Sequence, residues 1–219
     1  MRKVALFVEG QTEYIFIREL LLKWYEYAPQ MIGMDCYRLY SYEMQPLLRS
    51  YGTKESENYY QIVNVGNDER VLGYLIEHSQ IMQEKGFTLI MGLRDMYCKK
   101  YRDACQDRTI HPEINQRFID AANFVIAQSP QADLISMHFA IMEVEAWLLA
   151  LLHPDEPCDP ETSIFCPADE MSRLFATYDK SEGVVESICS RFSREDFVRL
   201  NESEKCSSFT QFMDVLFRR

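Results

Sequence analysis

The sequence predicts an α/β fold built on a mostly parallel central sheet flanked by helices. Two observations carry that expectation. Segments with strand patterning alternate with helical segments over residues 3–150, the order that joins parallel strands through crossover helices. The first segment, "VALFV" (Val4–Val8), is apolar without interruption, as expected of a strand covered on both faces. With 219 residues, 47% of them apolar, the chain has enough material for one sizeable core.

After that strand, Thr12 is placed to cap a helix running to about Tyr25, with Ile15, Leu20, Leu21 and Trp24 among its apolar positions and the Ala28-Pro29 step ending it. "MDCYRLYSY" (34–42) alternates like a half-buried strand, and the polar stretch 45–58, with Pro46 and Gly52, reads as a long loop. "YYQIVNVG" (59–66) is a further strand; Asp68 then opens a helix to about Lys85, stopped by Gly86. "FTLIMGLRD" (87–95) reads as a central strand that ends on an acid. Lys99–Asp107 is a charged connector, and Pro112 suits the first turn of a helix reaching about Gln128. "ADLISMHFAIM" (132–142) is a strand and "EVEAWLLALL" (143–152) a helix whose Trp147, Leu148 and Leu149 are core. The acidic, Pro-containing segment 153–169 reads as a solvated surface loop, and the tail from about 168 to 217 as three or four short helices.

Composition narrows the function. The seven cysteines are odd in number and contain no C-x-x-C, which points to reduced thiols in a cytoplasmic setting rather than a zinc site or disulfide scaffold. No apolar run approaches the roughly 20 residues that span a bilayer, and the N-terminus lacks a signal-peptide pattern. With 23 basic against 34 acidic residues the net charge is −11, so the overall field repels nucleic acid. A polyanionic substrate would need a local basic strip, a metal ion or a partner's surface.

In sheets of this class, ligands lie beyond the carboxyl ends of the strands. Glu9 and Glu13 follow the first strand, Asp95 ends "TLIMGLRD", and Glu143 and Glu145 follow "HFAIM". Two unit charges about 4 Å apart cost about 4 kcal/mol at an effective dielectric near 20. Converging carboxylates must therefore hold protons at raised pKa, pair with Lys or Arg, or bind a cation. All-oxygen donors without a Cys or His pattern favour Mg²⁺ or Mn²⁺ over zinc. The competing account is local: Glu13 and Glu143 sit where a helix N-terminus favours an acid.

These motifs resemble those of Toprim domains, the magnesium-dependent fold of topoisomerases, primases and OLD-family nucleases. "FVEGQTEYIFIREL" resembles the first Toprim motif, with a glutamate and glycine after the first strand and a further acid four residues on. "LRDMYCKK", "IMEVEAWLLA", "ATYDKSEGVVESI" and "SSFTQFMDVLF" resemble, in order, segments of the short Toprim-like proteins of the DUF4276 family, relatives of OLD nucleases found in phage-defence gene sets. The resemblance implies a Toprim-like domain over residues 1–155 and a helical extension over 156–219 packed on it. It also implies a Mg²⁺- or Mn²⁺-dependent nuclease acting on DNA or RNA, with an ABC/SMC-like ATPase as protein partner. Carried over by position, Glu9 is the first metal ligand or general acid/base, Glu13 a second ligand, Asp95 the first aspartate of Asp-x-Asp, and Glu145 the late acid. Glu143, two residues earlier and so on another side of a helix, is the second choice. Tyr97 stands where many Toprim enzymes have their second aspartate, which removes a ligand and leaves one or two metal ions open.

Arg94, Lys99, Lys100 and Arg102 form the densest basic stretch. They suit either a phosphate-binding role, with Lys99 or Lys100 assisting catalysis, or a solvated connector. Tyr97 and Tyr101 are candidates for base stacking or core packing. His111 and His138 read as structural. The alternative to a nuclease is a non-catalytic Toprim-like interaction module of an ATPase-containing defence or toxin system.

Overall fold

The computed structural model describes residues 1–40, 43–67 and 70–218. The first part of the chain runs β1 (Arg2–Val8), α1 (Gln11–Trp24), β2 (Ile32–Tyr40), β3 (Glu43–Pro46), β4 (Asn58–Asn64), α2 (Val71–Glu84) and β5 (Leu89–Asp95). Then follow α3 (Lys99–Ala104), α4 (Pro112–Ile126), β6 (Ile135–Ala140) and α5 (Val144–Leu152). The tail comprises α6 (Pro160–Ser163), α7 (Pro167–Leu174), α8 (Glu182–Cys189), α9 (Arg194–Glu202) and α10 (Ser207–Leu216). The sheet order is β3-β2-β4-β1-β5-β6. Every neighbouring pair is parallel except β2 and β3.

The uninterrupted apolar run of β1 has a direct counterpart in the packing. Val4, Leu6 and Val8 enter the core on one face of the sheet, while Ala5 and Phe7 enter the core on the other. The first core also holds Ile15, Phe16 and Leu20 of α1, Trp147 of α5 and, from the tail, Met171, Val185, Phe197, Phe209 and Phe212. The second holds Val71 and Leu75 of α2, Tyr101 of α3 and Ala122 of α4. The chain thus leaves β1 toward one face and β5 toward the other. Such a divergence opens a crevice at the carboxyl ends of the two adjacent strands. Gly92 lets α2 approach β5 closely, because a Cβ there would lie 2.5 Å from both Leu75 Cδ1 and Met137 Sδ.

Several expected elements are corrected. Part of the expected 45–58 loop belongs to β3, an antiparallel edge strand that pairs Pro46 with Tyr37; a proline is tolerated at such an edge. Gly10, not Thr12, caps α1, and does so with no side-chain hydrogen bond. Asp68, Ser41 and Tyr42, expected in a helix and a strand, lie outside the described residues. The charged connector contains α3, anchored by buried Tyr101, whose hydroxyl donates to Asn115 Oδ1 at 2.8 Å. Residues 132–134 form a single 3₁₀ turn before β6. Five of the seven cysteines (36, 98, 105, 189 and 206) are buried. His138 is held neutral by burial, its pKa pushed down to about 4. No helix among the described residues is long and apolar enough to cross a membrane.

The expected solvated loop 153–169 is wrong in one informative respect: Glu161 is fully buried. Its carboxylate accepts from Trp147 Nε1 at 2.8 Å, from the Ser208 backbone N–H at 3.1 Å, and from the Ser208 hydroxyl. Burial pushes its pKa up to about 7 against the pull of those donors. Glu161 therefore ties α6, α5 and α10 together by satisfying donors buried between them. Glu161→Ala orphans the Ser208 amide N–H and leaves the Trp147 indole only its bond to the Ser208 hydroxyl at 3.0 Å, and is expected to cost roughly 2 kcal/mol. Glu161→Gln, which keeps the acceptor oxygen, should cost less; thermal denaturation of both variants measures the difference.

Candidate metal centre

Three strands deliver acids to one edge of the sheet. In register, Val8 lies beside Leu93 and Asp95 beside Ala140, so Glu9, Asp95 and the turn after β6 meet at the carboxyl ends of β1, β5 and β6. Glu9 Oε2 accepts the backbone N–H of Asp95 at 2.9 Å. Asp95 Oδ1 accepts the Val144 N–H at 2.9 Å, one of the amides that a helix leaves without an internal partner at its N-terminus. Glu13 lies in the first turn of α1 and is buried. A Cβ at residue 10 would stand 3.1 Å from Glu13 Oε2, so the glycine of the first motif leaves that carboxyl room.

The turn after β6 resolves the choice between Glu143 and Glu145 in an unexpected way. Met142 adopts a left-handed conformation (φ 66°), which costs a non-glycine residue on the order of 1 kcal/mol. Glu143 follows in extended conformation (φ −147°, ψ 156°) as the N-cap of α5. It is not on the helix, so the reason for ranking it second fails. Its Oε2 accepts the Ala168 N–H at the start of α7 at 2.9 Å, while Glu145, on α5, is fully buried. Ligand oxygens of Asp95, Glu143 and Glu145 all lie within 4.8 Å of one another.

Two residues that sequence reasoning does not assign complete the site. Tyr178 donates from its hydroxyl to Glu145 Oε1 at 2.6 Å. Lys180 Nζ lies 2.9 Å from Glu145 Oε1 and 3.4 Å from Glu143 Oε1. Lys180 is also left-handed (φ 58°), so backbone strain falls on both sides of the cluster. Its one local signal is the "YDK" of the tail, 37 positions beyond Glu143, and nothing in that spacing foretells the contact.

The expected basic strip is placed differently. Lys99 and Lys100 are exposed on α3, and among the described residues neither makes an ion pair with the acids. The Arg102 guanidinium lies 5.3 Å from the centre of the Tyr97 ring. Arg94 alternates with Asp95 along β5 and sits 5.8 Å from the centre of the Phe139 ring, in the second core's layer. Tyr97 packs edge-on against Phe165 and its hydroxyl receives a hydrogen bond from Cys166 Sγ. Arg94, Tyr97 and Arg102 thus lie against their own neighbours, and it is Lys180 that pairs with Glu143 and Glu145.

The electrostatics follow from this arrangement. Burial first, then Glu9 and Glu145, pushes the Glu13 pKa up to about 8. Burial, then Glu13, Glu145 and Glu9, holds Asp95 well above the usual carboxylate range. Burial and Glu145 also raise Glu143. Burial disfavours the Lys180 ammonium, but Glu145, Glu143 and Asp95 outweigh it and raise its pKa. Glu145 Oε2 remains buried without a hydrogen-bond partner among the described residues. An excess of oxygen donors, protons retained against repulsion and an unsatisfied carboxylate oxygen all fit a cation. The Asp95, Glu143 and Glu145 triad can hold a metal ion.

These proton affinities set a sign for the pH dependence of stability. A carboxyl that keeps its proton to about pH 8 in the folded chain, but loses it near 4.5 when unfolded, binds more protons folded than unfolded in between. Metal-free stability must then fall as pH rises through that window. A tenfold difference in proton affinity between the two states is worth about 1.4 kcal/mol, so Tm in EDTA is expected to drop by at least about 4 °C between pH 5 and pH 8. Glu13→Gln should flatten the slope; an unchanged slope would show that Glu13 does not carry it.

No protein-family model matches the chain, no curated protein matches it significantly, and no solved structure matches it significantly.

Proposed function

We propose that the chain is a Mg²⁺- or Mn²⁺-dependent phosphodiesterase, a Toprim-type nuclease acting on DNA or RNA. One observation carries the reading: Asp95, Glu143 and Glu145 converge within 4.8 Å at the sheet edge where ligands of α/β folds bind, and an oxygen of Glu145 lacks a partner among the described residues. The Toprim and DUF4276 resemblance assigns its acidic roles to Glu9, Glu13, Asp95 and Glu145, and the closeness of these four carboxyls supports the same reading.

In this proposal Asp95, Glu143 and Glu145 hold the ion, and Glu9 and Glu13 complete the acidic wall. Hard oxygen donors favour Mg²⁺ or Mn²⁺. Such an ion supplies Lewis acidity toward a phosphoryl oxygen and lowers the pKa of bound water. Glu13, buried in the first turn of α1 beside Glu9 and Glu145, is placed to accept or return a proton. Tyr178 fixes the orientation of Glu145. Lys180, whose side chain is 42% exposed, holds Glu145 and reaches the solvent side, where it can meet a phosphate oxygen. The net charge of −11 opposes unassisted binding of nucleic acid, so affinity or regulation is assigned to a protein partner, an ABC/SMC-like ATPase being the one the resemblance suggests.

The second reading, a non-catalytic interaction module, is favoured by Lys180, because an internal cation already pairs with two of the acids. Metal titration separates the readings. An enzyme should gain about 2.7 kcal/mol at a metal concentration one hundred times Kd, seen as a rise in Tm that Glu145→Gln removes; a module should not respond. For activity, the purified chain is incubated with plasmid or tRNA and Mg²⁺ or Mn²⁺. Asp95→Asn and Glu145→Gln should each lower cleavage at least about 100-fold. Cleavage unchanged in both variants would place the chemistry elsewhere.

A further inference from the structure

On the opposite face from the acids, beside the same strand end, lies a groove of about 410 Å³, within the range of small-ligand sites. Its floor is apolar and partly aromatic, formed by Phe118, Val125, Met137 and Phe139 with Leu72 at one side. Arg94, Lys100 and Arg117 also line it, and no acidic residue does among those described. In a chain with 34 acidic and 23 basic residues, three cations around an apolar floor without an acid run against the overall charge.

The three cations differ in what holds them. Arg94 lies over Phe139 and donates from Nε to the Asp95 carbonyl at 3.2 Å. Lys100 and Arg117 are exposed, on α3 and α4, and neither makes an ion pair among the described residues. A planar apolar body on the floor with an anionic group at the rim satisfies both halves of the groove at once. A fatty carboxylate could meet both cations, as Glu186 meets Arg18 and Arg49, but it has no ring face to set against Phe118. A phosphate offers several acceptor oxygens to two cations, and a base offers a ring face to the aromatic floor.

We propose that this groove binds one nucleotide unit, its base against Phe118 and its phosphate between Lys100 and Arg117. The unit comes either from a free mononucleotide or from a single strand crossing the end of β5. The site goes beyond the metal centre and stands without it.

The test uses the full chain in EDTA, so that failure of the metal reading does not affect it. AMP and a short oligothymidylate are titrated by calorimetry at low and high salt. Binding of AMP as tight as that of the oligonucleotide identifies a free nucleotide as the ligand; binding of the oligonucleotide alone identifies a strand. In either case Lys100→Glu and Arg117→Glu should weaken binding at least about tenfold each, and Val125→Asp should weaken it by placing a charge on the floor. Melting curves confirm that the variants are folded. The proposal is overturned if neither probe binds, or if affinity is unchanged in the folded variants. It is equally overturned if an aromatic sulfonate dye occupies the groove and neither nucleotide displaces it, the behaviour of an apolar face covered by a protein.

Discussion

Repulsion among buried carboxylates is the constraint around which this edge of the molecule is organised. Five acids, Glu9, Glu13, Asp95, Glu143 and Glu145, gather at the ends of three strands, and Lys180 pairs with two of them. Left ionised and unpaired, such a group would oppose folding by several kcal/mol. The fold answers in large part with backbone. Asp95 receives the Val144 amide, Glu143 the Ala168 amide, and Glu9 the amide of Asp95 itself. The first two amides belong to helix N-termini, where the partial positive charge of the helix adds to the hydrogen bond. Retained protons on Glu13 and Asp95 absorb part of the remainder.

That solution explains where the backbone is strained. Met142 and Lys180 are both left-handed without being glycine, and they bracket the cluster on two sides. Met142 turns the chain out of β6 so that Glu143 stays extended and Glu145 enters α5. Lys180 brings its ammonium against both glutamates. Strain of this kind persists only where surrounding structure over-determines it, and here the surroundings are the buried Tyr178 and the tail helices packed on α1 and α5. The tail thus supplies both a wall of the first core and a cation of the site.

What can be read from the sequence follows the range of the interactions. β1 and β5 are legible because a strand buried on both faces needs an apolar run, and because Asp95 closes one of them. The convergence of Glu9, Asp95 and Glu145 is legible from topology, since parallel strands send their carboxyl ends to one edge. Glu143 is misjudged when helical spacing is applied to a residue that is the extended N-cap, one position outside the helix. Glu161 is hidden in an acidic, Pro-containing stretch whose composition signals solvent, while its partners Trp147 and Ser208 lie on α5 and α10. Lys180 escapes notice for the same reason. Contacts between distant segments leave no periodicity in either one.

The end of β5 also shows how an acidic chain can keep positive charge useful. Successive residues of a strand point to opposite faces of the sheet, so Arg94 and Asp95 are neighbours in sequence yet belong to different layers. Placed on one face, the arginine would neutralise the acid and remove the excess of negative donors that suits a cation. Directed across the sheet, it lies on Phe139 instead, and the pairing of Glu143 and Glu145 is left to Lys180. A single alternation therefore separates an acidic pocket from a basic groove along one strand end, without either cancelling the other. Lys100 of α3 and Arg117 of α4 join Arg94 around that groove, on the face away from the Asp95 side chain.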